Sequence, residues 1–96
     1  MDLQIQHQPT QKEFVAEING KKAVLQYEIL SNGKELDYYH TFVPPEFRGQ
    51  KIGEKIVKFA LDYAKQNHYQ VIPSCPFVQI YIDRHPEYQT IITKIE

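Results

Sequence analysis

Two consecutive prolines, Pro44 and Pro45, divide this 96-residue chain into a half whose apolar residues alternate and a half in which they follow another period. Neither proline can donate a backbone hydrogen bond, so a strand that reaches them must stop. Upstream, Phe14, Ala16 and Ile18 alternate with polar neighbours, Asn19-Gly20 intervenes, and Leu25, Tyr27 and Ile29 share one face within 23–30. This pattern predicts a hairpin with a two-residue turn. Ser31-Asn32-Gly33 predicts a second turn, and Glu35 to Val43 reads as another strand with Leu36, Tyr38, His40 and Phe42 projecting to one side. An antiparallel meander follows, begun by Leu3 to His7.

Downstream the period changes. From Lys51 to Asn67, Ile52, Ile56, Phe59, Ala60, Tyr63 and Ala64 recur at helical spacing, while Lys51, Lys55 and Lys58 share another face. Tyr69 to Ile72 reads as a short buried strand closed by Pro73, so strand, helix and strand alternate and a crossover to a parallel neighbour is expected. Phe77 to Arg84 forms a short helix behind Pro76, and Pro86 ends it before a final segment, Glu87 to Ile92. There is no repeat, linker or low-complexity tract.

A mass of 11.3 kDa accommodates one domain, 1–96, and no second core. Hydrophobic residues at 42% and charged residues at 24% argue against wholesale disorder. Eleven Lys plus Arg against twelve Asp plus Glu leave a net charge of -1, so no global field draws the chain to nucleic acid or an anionic membrane. Any anion site must be local. Cys75 is the only cysteine, and the first residues lack a signal-peptide pattern, which predicts a reducing, cytoplasmic location. No apolar run approaches the roughly 20 residues of a bilayer span.

The stretch Val43 to Lys58, VPPEFRGQKIGEKIVK, concentrates cations where a helix begins. The positive end of the helix dipole disfavours them there. A bound diphosphate accounts for the placement: backbone N–H groups at the helix start face the anion, Gly49 and Gly53 permit close approach, and Arg48 and Lys51 add countercharge. A solvated basic helix face is the alternative. Neither a Walker loop nor a GxGxxG fingerprint is present, which removes support for nucleotide hydrolysis and hydride transfer.

Arg48-Gly49-Gln50-Lys51-Ile52-Gly53 resembles the coenzyme A signature of the GNAT-type N-acetyltransferases, Arg/Gln-x-x-Gly-x-Gly/Ala, with Lys51 standing where the motif has its central glycine. The flanks extend the likeness: His40-Thr41, Ser74-Cys75-Pro76-Phe77 and Tyr81 through Tyr88 look like a small subfamily of short, single-domain acetyltransferase-like chains. The resemblance implies an α/β (α+β) fold, a mixed and mostly antiparallel sheet of about five strands with one long helix and one or two short C-terminal helices. It implies that the strand ending at Val43 splays from the strand at Tyr69 to Ile72, so that pantetheine lies in the gap against backbone groups of Phe42 and Val43. Acetyl-coenzyme A or coenzyme A is the implied cofactor, held by Phe42, Val43, Arg48, Gly49, Gln50, Lys51, Ile52 and Gly53.

Cys75 follows a strand and precedes Pro76, so it is placed at a helix N-cap, where backbone N–H groups stabilise a thiolate. A small buried hydrophobe is its other reading. His40 is read as a hydrogen-bonded core histidine or as a general base that takes a proton from an acceptor amine or from Cys75. Tyr81 either packs or, as the resemblance implies, protonates a departing thiolate. Asp83 and His85 supply too few ligands for a metal, and turn and capping roles suit them better. The function these residues imply is transfer of an acyl group from acetyl-coenzyme A to an amine, directly or through Cys75. The acceptor is a small molecule or part of another protein. The alternative is a coenzyme A binding or thiol-sensing module without turnover.

Overall fold

The alternation upstream of the prolines becomes an antiparallel meander in the computed structural model, which describes residues 4–30 and 32–93. Its strands are β1 (Ile5–Gln8), β2 (Glu13–Ile18), β3 (Lys21–Ile29) and β4 (Glu35–Phe42), with β5 (Gln70–Ile72) completing the sheet in the order β1-β2-β3-β4-β5. Leu3 and Ser31, assigned from the sequence to the first strand and the second turn, lie outside the described residues. Asn19 and Gly20 both have positive φ, 50° and 79°, the backbone that joins β2 to β3 through two residues without splaying them.

β5 pairs with β4 in parallel, and the crossover between them is helix α1 (Ile52–Gln66). Helix α2 (Pro76–Arg84) follows β5, and 3-10 segments of one and two turns occupy Pro45–Phe47 and Pro86–Ile91. Near the end of the chain Ile92 makes a parallel bridge to Val71, on the far edge of β5. The sheet is mixed and mostly antiparallel, as the resemblance implied.

Ile52, Ile56, Val57, Ala60, Leu61 and Ala64 of α1 join Phe14, Leu25, Tyr27, Leu36 and Tyr38 of the sheet in one buried cluster, to which Val78 and Ile82 of α2 and Tyr88 also belong. Fully burying a Leu, Ile or Val contributes about 1.5–3 kcal/mol, so this layer holds the helices to the sheet. The Tyr38 hydroxyl adds a buried bond, donating to the Ala60 carbonyl at 2.7 Å. Both helices therefore cover one face. Among the described residues no helix covers the other face, which carries Gln6, Val15, Val24, Gln26, Glu28, Asp37 and Ile72.

The β3–β4 ladder slips by one residue: Tyr27 faces Tyr38, whereas Gln26 faces His40, leaving Tyr39 as an extra residue on β4. A bulge of this kind exchanges the faces of everything beyond it. Leu36 and Tyr38 stay in the core, but His40 and Phe42 turn to the helix-free face and are exposed, while Val43 packs against the core. The strict alternation that put Leu36, Tyr38, His40 and Phe42 on one side is corrected here, and with it the expectation of a core histidine. Ile29 keeps the face of Leu25 and Tyr27 but sits at its strand end, 45% exposed.

Candidate functional site

The last β4–β5 rung joins Asp37 to Ile72, and one step further the Cys75 N–H donates to the Tyr38 carbonyl at 3.0 Å. β5 has ended by then, because Pro73 cannot continue the ladder. The rest of β4, through Phe42, therefore lacks a strand neighbour on that edge among the described residues.

Pro44 and Pro45 then turn the chain through a 3-10 step into α1. Gly49 has φ of 89°, and Lys51, the N-cap of α1, has φ of 62°. A left-handed backbone is what the motif's central glycine supplies without strain, and Lys51 adopts it at a cost of about 1–2 kcal/mol. No side chain caps this helix start. The first intrahelical bond runs from the Lys55 N–H to the Lys51 carbonyl at 3.1 Å, so the N–H groups before it stay free for an acceptor.

Between the free edge of β4 and the start of α1 lies a cleft of about 550 Å³ lined by Phe42, Val43, Arg48, Gly49, Lys51, Ile52 and Gly53. These are the positions assigned to coenzyme A except Gln50, which is exposed and lies outside the lining. Thr41, Phe47, Glu54 and Phe77 complete the wall. Sequence reading left them out for separable reasons: Thr41 reaches the cleft only because of the bulge, and Phe77 arrives from α2. Phe77 did carry a signal, a large aromatic directly behind Pro76.

Phe42 and Phe77 remain 44% and 38% exposed, so the cleft offers apolar walls. Phe77 also explains Gly53. A Cβ at Gly53 would meet Phe77 Cζ at 3.0 Å and Val43 Cγ2 at 3.2 Å, so a side chain here would press both neighbours back by a few tenths of an ångström.

The cations of the stretch take different roles. Arg48 folds back and its Nε–H donates to the Val43 carbonyl at 3.1 Å, bracing the turn between β4 and α1. Lys58 pairs with Asp62 at 2.8 Å one helical turn away, which leaves Lys51 and Lys55 as exposed charges nearer the helix start.

Cys75 occupies the N-cap of α2 with Pro76 as the first helical residue. It is 6% exposed, and its Sγ lies 3.3 Å from the Thr41 Oγ1, within hydrogen-bond reach. The thiol thus sits against a residue that lines the cleft.

His40 lies on the opposite face of β4 from Thr41, and the bulge makes that the face the helices leave bare. Tyr81 is not part of the cleft lining: it is 8% exposed and stacks on His85 with ring centroids 4.0 Å apart. Burial raises the pKa of its hydroxyl above the ordinary tyrosine value. His85 is the C-cap of α2, and its Nδ1–H donates to the Tyr81 carbonyl at 2.8 Å, satisfying one of the helix's last acceptors.

A mixed sheet whose fifth strand ends while the fourth runs on beside an uncapped helix start defines a class, and comparison with known proteins assigns the chain to it. Residues 13–91 match the model of the GCN5-related N-acetyl-transferase family, and the chain belongs to that family. Among its relatives are Protein NATD1 of Danio rerio, 31% identical over 90 residues covering 90% of this chain and 81% of that protein, and Protein NATD1 of Gallus gallus, 32% identical over 88% of this chain and 77% of that protein. A solution structure of a GCN5-like putative N-acetyltransferase from Staphylococcus aureus superposes with a TM-score of 0.73 at 26% identity, covering 98% of this chain and 91% of the other.

Proposed function

We propose that this protein is an acetyl-coenzyme A dependent N-acetyltransferase whose cleft between β4 and α1 receives the coenzyme. The observation that carries this is the junction of a strand edge without a partner and a helix start without a cap, joined by one cleft. The residues suit the coenzyme. Free N–H groups, Gly49 and Lys51 offer an anion site for the diphosphate, while Phe42, Val43, Ile52 and Phe77 provide apolar contact for the pantetheine arm. When bound, acetyl-coenzyme A supplies an acyl group activated as a thioester.

The protein contributes mainly proximity. Fixing the thioester against the free edge of β4 and admitting the amine beside it converts a bimolecular encounter into a local one. Backbone N–H groups facing the carbonyl stabilise the charge that develops on its oxygen. The amine nitrogen forms the new C–N bond, the C–S bond breaks with its electron pair on sulfur, and the amine proton leaves through His40, which is open to solvent.

A second route is favoured by the position of Cys75 against Thr41. There the Cys75 thiolate accepts the acyl group, releasing coenzyme A, and the amine then displaces the thiolate. The two routes share the cleft and differ only in whether Cys75 is acylated.

Calorimetric titration with acetyl-coenzyme A and coenzyme A tests the cleft, and thiol release with a panel of amines tests transfer. Binding with turnover supports the proposal, whereas no binding of either ligand at sub-millimolar concentration overturns it. Binding without thiol release points instead to a coenzyme-binding module. Intact mass after mixing with acetyl-coenzyme A identifies the two-step route by an acetyl group on Cys75. Arg48→Ala should weaken coenzyme A more than pantetheine lacking the phosphates; equal losses would contradict the diphosphate assignment.

A further inference from the structure

The free edge of β4 is a row of backbone groups, and the ladder shows which of them face the cleft. The Tyr27 N–H donates to the Lys12 carbonyl at 3.0 Å, so Tyr27 turns its backbone towards β2 and its neighbours along β3, Gln26 and Val24, turn theirs towards β4. Gln26 and Val24 stand opposite His40 and Phe42, whose N–H and carbonyl groups are thereby directed at β3. Thr41 and, one step beyond the strand, Val43 present theirs to the open edge. Before the bulge an even-numbered residue does so: the Tyr38 carbonyl accepts from the Cys75 N–H. The bulge selects backbone groups for the cleft as it selects side chains.

One of these open groups is already covered. The Arg48 Nε–H that donates to the Val43 carbonyl at 3.1 Å belongs to a side chain that lines the same cleft as Val43. The residue is exposed and forms no ion pair among the described residues; Glu46, two positions earlier, is held by Lys21 at 2.7 Å. Arg48 therefore directs one N–H at the edge and keeps its other donors and its charge without a carboxylate. An amide chain that adds to a strand edge needs the edge carbonyls as acceptors, and a phosphate needs the guanidinium fork. An arm that pairs with the Val43 carbonyl must first displace Arg48.

We propose that Arg48 makes the cleft selective for phosphorylated ligands: it covers the Val43 carbonyl in the free protein, and a diphosphate at the start of α1 draws the guanidinium away and opens that carbonyl to the amide arm. The selectivity rests on the coenzyme reading above; the covering bond itself does not. A ligand that has the arm alone breaks the bond and leaves the guanidinium with water. A ligand that also carries phosphates replaces the bond with a charge-assisted contact, so Arg48 discriminates by opposing the one and attracting the other. A plain brace behaves differently, because its removal loosens the turn for both ligands.

The test reads binding and needs no turnover. The full chain and Arg48→Met, which keeps an apolar stem and removes the donors and the charge, are titrated with coenzyme A and with reduced pantetheine by calorimetry and amide NMR. In Arg48→Met pantetheine should bind about three- to tenfold more tightly, the effect of no longer breaking one hydrogen bond, while coenzyme A should weaken about tenfold. A second measurement uses the wild type alone. Inorganic pyrophosphate should raise the affinity for pantetheine about three- to tenfold there, because it draws Arg48 from the edge before the arm arrives, and should have no such effect in Arg48→Met. If Arg48→Met does not fold, the wild-type pair of ligands decides. Pantetheine weaker, unchanged or undetected in Arg48→Met, or pyrophosphate without effect on pantetheine in the wild type, would overturn the selectivity. If coenzyme A still binds the wild type in that case, the coenzyme reading stands and Arg48 is a brace. If coenzyme A does not bind the wild type at sub-millimolar concentration, the coenzyme reading fails and the selectivity falls with it.

Discussion

The two ends of α1 are built on opposite plans. At its C-terminal end Tyr63 packs against Phe14, His7 and Tyr69, with ring centroids between 4.4 and 6.0 Å apart, and His7 is hydrogen-bonded to the Tyr27 hydroxyl. At the N-terminal end the aromatics Phe42 and Phe77 face open space, the helix start has no cap, and Lys51 holds a strained left-handed backbone. One end of the helix stores the stability of the fold, and the other leaves unsatisfied groups and bare rings for a ligand to cover. Proteins commonly concentrate strain and open polar groups in this way at sites of function.

The largest effect should come from opening the closed end. Phe14 is fully buried among five other aromatic rings, and Phe14→Ala should cost about 3–5 kcal/mol of unfolding free energy by denaturant titration. Coenzyme affinity per folded molecule should hardly change, since none of these rings lines the cleft. Gly53→Val asks the converse question. Its side chain would drive Phe77 and Val43 apart, costing about 1–3 kcal/mol of stability. Because both displaced residues line the cleft, acetyl-coenzyme A binding should weaken at least about tenfold, which calorimetry would resolve.

Lys51→Gly separates backbone from charge at the open end. Relief of the left-handed strain and the added freedom of the unfolded chain nearly offset, so stability should stay within about 1 kcal/mol of the wild type. Coenzyme affinity should fall about two- to five-fold through the lost cation. A rise in affinity would show that close backbone approach outweighs the charge.

The smallest effect is a pH dependence confined to the closed end. Burial lowers the pKa of His7 below its ordinary value of 6.5, so the folded chain favours the neutral ring. As the pH falls below 6.5 the unfolded chain takes up a proton first, and stability is lost progressively through the folded-state pKa; above 6.5 the contribution is complete. His7→Gln should flatten the thermal midpoint between pH 5 and 7, a range above that in which carboxylates of ordinary pKa titrate. An unchanged slope would assign the dependence to another group.

Much of this architecture was legible because it is local. Asn19-Gly20 specifies its own turn through backbone preference, the period of 3.6 from Ile52 to Ala64 specifies α1 and its buried face, and Pro73, Pro76 and Pro86 mark ends that no neighbour can alter. The segment from Arg48 to Gly53 likewise announced a turn that leads into a helix start, and all of it but Gln50 lines the cleft.

What the sequence alone determined is therefore the order and type of the elements and the place where the chain turns from strand to helix. Which side chains meet was decided only in the folded sheet. The extra residue at Tyr39 is invisible in the pattern from Glu35 to Val43, since a bulge is a property of two strands in register and not of one. It sent His40 and Phe42 to the bare face. The same tertiary pairing set Cys75 beside Thr41, brought Phe77 onto Gly53, and left Asp37 Oδ1 without a donor among the described residues at the last rung of β4 and β5. Contacts between residues distant in the chain depend on register and packing, which no local periodicity encodes.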